Sequence, residues 1–113
     1  MSDLINKASL QLREIIMDAL GALTAEEAIP AVPVPAFGIE IPADKSHGDF
    51  AANTAMVCAK AFRMNPRQIA DLILGKLNLD GTLFDRAETA GPGFLNFCLS
   101  RRWFSDVVRN VLD

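Results

Sequence analysis

The sequence predicts an α+β domain, a small antiparallel sheet of three to four strands packed against about four helices. Apolar residues recur at spacings of four and three along the first 23 positions, as on one stripe of a helix. Short alternating segments near 37–41, 84–90 and 94–99 have the period of strands, the last two flanking a Gly-Pro-Gly turn. Half of the 113 residues are hydrophobic and 22% are charged, a globular balance in a chain long enough for one core.

The whole chain, 1–113, reads as a single domain. In the first helix, 1–23, Ser2 is a suitable N-cap and Leu4, Ala8, Leu12, Ile15, Ala19 and Leu23 draw the apolar stripe. Residues 24–35 form a proline-rich connector, since proline fixes φ and removes ladder donors; Thr24 and Glu27 suit a capping turn at its start. An α+β body, 36–113, follows. Phe37, Ile39 and Ile41 alternate with Gly38, Glu40 and Pro42 as a half-buried strand. A helix apolar nearly all round is expected from about Asp49 to Arg63, with Asp49 as N-cap and Asn53 making a structural hydrogen bond. Asn65 caps the next helix with Pro66 in its first position, and Ile69, Ile73 and Leu77 form its stripe. A hairpin of strands 84–90 and 94–99 and a final helix, 101–112, complete the layout.

Several function classes are excluded. No apolar run approaches the ~20 residues of a membrane helix, and no basic region precedes an apolar stretch at the N-terminus. His47 is the only histidine, which rules out a His-based metal cluster and leaves a nucleophilic triad without partners. Cys58 and Cys98 show no CxxC spacing; a disulfide stays open, and two buried free thiols in a reducing cytoplasm are the expectation. Net charge is −3, with two bases against seven acids in 1–44 and nine against seven in 45–113. That lacks the basic stripe of a free-standing phosphate binder, so any RNA contact is expected to be small and local.

The richest segment is Gly91-Pro92-Gly93-Phe94-Leu95-Asn96-Phe97. Successive side chains of a strand point to opposite faces, so Leu95, Phe97 and Leu99 share the core face while Phe94, Asn96 and Cys98 share the other. A ring and an amide roughly 7 Å apart on one face suit an unstacked nucleobase, the ring stacking and the amide reading an edge. The alternative is that Phe94 packs into a second apolar layer and Asn96 serves the turn. Lys45, Lys60, Arg63 and Arg67 could face a phosphate backbone, although Lys60 and Arg63 also suit a helix C-terminus. His47, beside Gly48-Asp49, is a turn residue or a mild RNA contact. Arg101 and Arg102 oppose the dipole of the last helix and point to an outside partner.

Gly48-Asp49-Phe50-Ala51-Ala52-Asn53, then Asn65-Pro66-Arg67-Gln68-Ile69-Ala70, then Gly91-Pro92-Gly93-Phe94-Leu95-Asn96-Phe97 together resemble the N-terminal appended domain of arginyl-tRNA synthetase over about residues 36–100. Departures are mild: Phe50 stands where Tyr is also common, and Ala52 and Thr54 replace somewhat larger or differently branched residues. The resemblance implies contact with the D-loop at the elbow of an arginine-accepting tRNA, through Phe94, Asn96, Gly91, Gly93, Lys45, His47, Lys60, Arg63 and Arg67. It implies a cytoplasmic parent enzyme that joins arginine to tRNA with ATP and magnesium. On the resemblance, this piece is expected to hold no cofactor and no catalytic residue, with that tRNA and the catalytic domain of the same chain, not DNA or a membrane, as its partners. The His-x-Gly-His-like and Lys-Met-Ser-Lys-Ser-like activation signatures and a Gly-rich phosphate loop are absent from the sequence. Catalytic and anticodon-binding domains are thus expected elsewhere, in a chain continuing beyond Val111-Leu112-Asp113. A protein–protein interaction domain on the same fold, docking Phe94 into a partner, is the alternative.

Overall fold

The structure is a computed structural model that describes residues 2–43 and 48–100, with side chains from Ile5 onward. Helix α1 spans Ser2–Ala25 and buries Ala8, Leu12, Ile15, Ile16, Ala19, Leu20 and Leu23 on the stripe its spacing predicts. Its end differs from expectation. Thr24 lies inside the last turn, donating its hydroxyl to the Leu20 carbonyl at 2.9 Å, and does not open a new turn. Glu27 then takes a left-handed conformation (φ 61°) while Ala28 N–H donates to Leu23 O at 2.9 Å and Glu27 N–H to Thr24 O at 3.0 Å, closing the helix as a Schellman motif.

The chain just beyond the connector is pinned back onto α1. Arg13 donates to the Phe37 carbonyl at 3.0 Å, and its guanidinium sits 4.9 Å from the Phe37 ring centroid. Four strands follow: β1 (Ile39–Glu40), β2 (Phe50–Ala52), β3 (Phe84–Ala90) and β4 (Phe94–Leu99). They form one antiparallel sheet in the order β1-β2-β4-β3. The first strand is shorter than its alternation predicts, and Ile41 is exposed.

The helix expected from Asp49 begins only at Thr54: α2 is Thr54–Phe62. Phe50, Ala51 and Ala52 instead fill the gap between β1 and β4, pairing with Phe97, Asn96 and Leu95. Alanine favours helix, but pairing on both edges of a buried strand outweighs a propensity worth tenths of a kcal/mol per residue. Asp49 is accordingly not a helix cap. Its N–H donates to Phe97 O at 2.8 Å and its carboxylate accepts from Leu99 N–H at 2.9 Å, tying the loop to β4. Gly48 makes this possible: it has φ +87°, and a Cβ there would lie 2.8 Å from the Phe97 carbonyl oxygen. Asn53 makes the structural bond expected of it, its amide oxygen accepting from Gly38 N–H at 2.7 Å.

Helix α2 closes on Arg63 in the left-handed region, and α3 (Pro66–Lys76) starts as the sequence predicts, with the Asn65 side chain accepting from Arg67 N–H at 2.8 Å. Ile69, Ala70 and Ile73 face the core, and Leu77 packs at its margin. Three helices are therefore described; the fourth expected one, 101–112, with Arg101 and Arg102, lies outside the described residues. The core's aromatic centre is a chain of edge-to-face rings. Phe50 and Phe84 have centroids 5.8 Å apart, and Phe84 and Phe97 6.1 Å.

Candidate functional site

Strand register sorts the sheet into two faces. Leu95, Phe97 and Leu99 face the core together with their cross-strand neighbours Ala52, Phe50, Ala87 and Ile39. Phe94, Asn96 and Cys98 take the other face, beside Ala90, Glu88 and Arg86 of β3, Ala51 of β2 and Glu40 of β1. The alternation read from the sequence is the one the sheet adopts.

On that second face lies a cleft of about 320 Å³ lined by Glu40, Pro42, Ala51, Ala90, Gly91, Phe94 and Asn96. It is at the small end of ligand-binding cavities and mostly apolar, with an aromatic plate and a few polar groups. Phe94 is half-buried and lies against Gly91, whose Cβ would sit 4.0 Å from the ring. Asn96 is 4% exposed, deeper than a surface reader but still lining the cleft. The small Ala51 lies between Glu40 and Asn96 in one cross-strand row, leaving a trough where a larger side chain would stand.

The other expected site residues divide. Gly91 lines the cleft, whereas Gly93 is buried: a Cβ on it would come within 2.7 Å of Pro66 Cβ, so its absence of a side chain serves the packing of the turn on α3. Arg67 stands at the turn, donating to the Gly91 carbonyl at 2.9 Å and lying 3.5 Å from the Asp71 carboxylate. Part of its hydrogen-bonding capacity therefore holds the hairpin. Lys60 and Arg63 are exposed at the C-terminal end of α2 and do not line the cleft. Lys45 and His47 lie outside the described residues. Glu40, Pro42, Ala51 and Ala90 complete the cleft without having been expected in it. The missing signal was the register of β2, which its helical appearance conceals.

The two cysteines are free. Cys58 is buried in α2, and burial pushes its thiol pKa up, away from reactivity. Cys98, expected to be buried, is only half-buried; it accepts a hydrogen bond from the Arg86 guanidinium at 3.3 Å on the open face. Among the described residues no group of three or more His, Cys, Asp or Glu could hold a metal ion, and no helix is long and apolar enough to cross a membrane. A larger cleft, about 420 Å³, runs between α1 and the α3–β3 loop past Glu14, Asp18 and Asp80, with Lys76 opposite. It has no aromatic plate on which a base could stack.

Residues 10–99 match the family described as "Arginyl tRNA synthetase N terminal domain". The arginine–tRNA ligase of Acetivibrio thermocellus is 38% identical over 111 residues, which covers 98% of this chain and 20% of that protein. The chain thus spans about a fifth of the length of the curated relatives it matches. Among solved structures, arginyl-tRNA synthetase of Plasmodium falciparum superposes with a TM-score of 0.69 at 15% identity, over 93% of this chain and 18% of that one. The Thermus thermophilus arginyl-tRNA synthetase gives 0.64 at 23% identity, over 93% and 16%. At these identities the two structures establish the fold alone.

Proposed function

The chain belongs to the arginyl-tRNA synthetase N-terminal domain family, and from that premise we propose that its open sheet face receives one unstacked nucleotide from the D-loop at the elbow of an arginine-accepting tRNA. The observation that carries this reading is the cleft in which alternation along β4 puts the Phe94 ring and the Asn96 amide on one face. Phe94 supplies the stacking plate, Asn96 the edge contact, and Gly91 and Ala51 the room for a base to approach the backbone. Arg67, at the turn, meets a phosphate beside the bound nucleotide, and Lys60, Arg63, Lys45 and His47 are the further RNA contacts that the family resemblance implies. The parent enzyme joins arginine to tRNA in the cytoplasm using ATP and magnesium. The catalytic domain of the same chain carries that chemistry, and this domain positions the tRNA.

The test is a tRNA titration of the full-length ligase beside thermal melts of the isolated domain. Phe94→Ala is expected to lose roughly 1–3 kcal/mol of tRNA binding, the worth of one stacked base. The melting temperature of the domain is expected to stay within a few degrees of wild type, because the ring is half-buried and off the core face. Asn96→Ala is expected to weaken discrimination at the contacted base more than overall affinity, because an amide distinguishes base edges and a ring does not. If Phe94→Ala instead unfolds the domain while binding per folded molecule is unchanged, Phe94 is a packing residue and the reading fails.

A further inference from the structure

We propose that Glu40 is a second, specificity-determining reader in the cleft, selecting a nucleobase that carries an exocyclic amino group; the inference rests on the proposed base-binding role of the cleft. Glu40 pairs with Ala51, Ala51 with Asn96 and Asn96 with Glu88, so four side chains stand in one row across the sheet on one face, and of its two carboxylates Glu40 is the one that lines the cleft. Two strand spacings put Glu40 and Asn96 roughly 10 Å apart at their Cα atoms. The methyl group of Ala51 is all that lies between them. A planar base lying over Ala51 and against Phe94 therefore presents its edge to an amide on one side and a carboxylate on the other.

Those two groups have unequal capacities. The Asn96 amide both donates and accepts, whereas an ionised carboxylate only accepts. Glu40 is the one ionisable side chain among the described residues that line the cleft. An exocyclic amino group offers two diverging hydrogens, one for each side of the row, and the second amide function of Asn96 is left for a neighbouring ring nitrogen or carbonyl. Adenine, cytosine and guanine each carry such a group. Uracil has carbonyl oxygens in its place; with its N3–H donating to the Asn96 amide oxygen, a carbonyl faces the exposed Glu40 carboxylate and sets two acceptors against each other. The same negative charge keeps phosphate out of the cleft, so the base enters and its backbone stays outside, toward Arg67 at the turn.

The experiment uses the full-length ligase and four tRNAs that differ only at the nucleotide which Phe94 protects. Wild type is expected to bind the adenosine, cytidine and guanosine forms roughly five- to a hundred-fold more tightly than the uridine form, matching about 1–3 kcal/mol per well-made base contact. Glu40→Gln keeps the shape and adds a donor that can meet a carbonyl, so the preference is expected to shrink to less than about threefold. An unchanged ratio in Glu40→Gln, or uridine bound as well as the others by wild type, overturns the role of Glu40. Phe94→Ala separates the two levels. If it weakens all four tRNAs while Glu40→Gln leaves their ratios intact, the cleft still holds the base and only the Glu40 reading falls. If it weakens none, the base does not lie in this cleft and both readings fall.

Discussion

Phe97→Ala is expected to cost about 3–5 kcal/mol of folding stability, enough to unfold much of a marginally stable domain at physiological temperature. Phe97 is fully buried on the core face of β4, its ring edge-to-face with Phe84, whose own ring meets Phe50 in the same way. Truncation removes the transfer free energy of the ring, leaves a cavity, and breaks one aromatic pair worth about 0.5–1.5 kcal/mol beyond its area. Relaxation is limited because the backbone at this position is held on both edges, by Phe50 of β2 and Ala87 of β3, and its carbonyl also accepts from Asp49 N–H. Urea denaturation or a thermal melt measures the loss, and a fall in melting temperature of more than about 10 °C is expected. Phe94→Ala, three residues earlier on the opposite face, is expected to lose far less. Equal losses would show that the two faces of β4 are not distinguished as core and open surface.

Gly93→Ala is expected to have the second largest effect, and its cause is steric. The new Cβ would meet Pro66 Cβ at 2.7 Å, Pro66 C at 3.1 Å and Met56 Sδ at 3.2 Å, with φ at +157°. The methionine can swing aside, but Pro66 opens a helix whose cap is fixed by Asn65, so the hairpin turn must lift from α3. Backbone strain and overpacking are each worth roughly 1–3 kcal/mol in such positions. The lifted turn also pulls Gly91 from Arg67 and opens one wall of the cleft, so tRNA affinity per folded molecule falls along with stability. Gly81→Ala is the control: φ is +74°, but a Cβ there meets nothing within 4 Å. Chemical denaturation is expected to show a distinctly larger loss for Gly93→Ala; matching losses would mean that left-handed geometry alone, without close approach, sets the cost.

What the sequence made legible follows local rules. The α1 stripe, the Asn65-Pro66 start of α3 and the hairpin about Gly91-Pro92-Gly93 are each written in adjacent residues, and the structure places them where those residues put them. The alternation along β4 likewise separates Phe94 and Asn96 from Leu95 and Phe97 without reference to a partner strand. The identity of Phe50-Ala51-Ala52 as a strand is tertiary: two helix-favouring alanines follow Phe50 into a strand by filling the slot between β1 and β4. That dependence also hides Ala51 and Glu40 as cleft residues, since only the register of β2 brings them level with Asn96. A second role of Arg67 is hidden for a related reason. Charge and helix position say that Arg67 is cationic and exposed, but not that it bonds the Gly91 carbonyl.

The central claim, that this face takes a nucleotide from the tRNA elbow, is tested most directly by footprinting an arginine-accepting tRNA bound to the full-length ligase, wild type and Phe94→Ala. The account predicts that one D-loop nucleotide is protected in the wild-type complex and becomes reactive in the Phe94→Ala complex, while protection elsewhere on the tRNA is retained. A D-loop that reacts equally in free tRNA and in both complexes would contradict it.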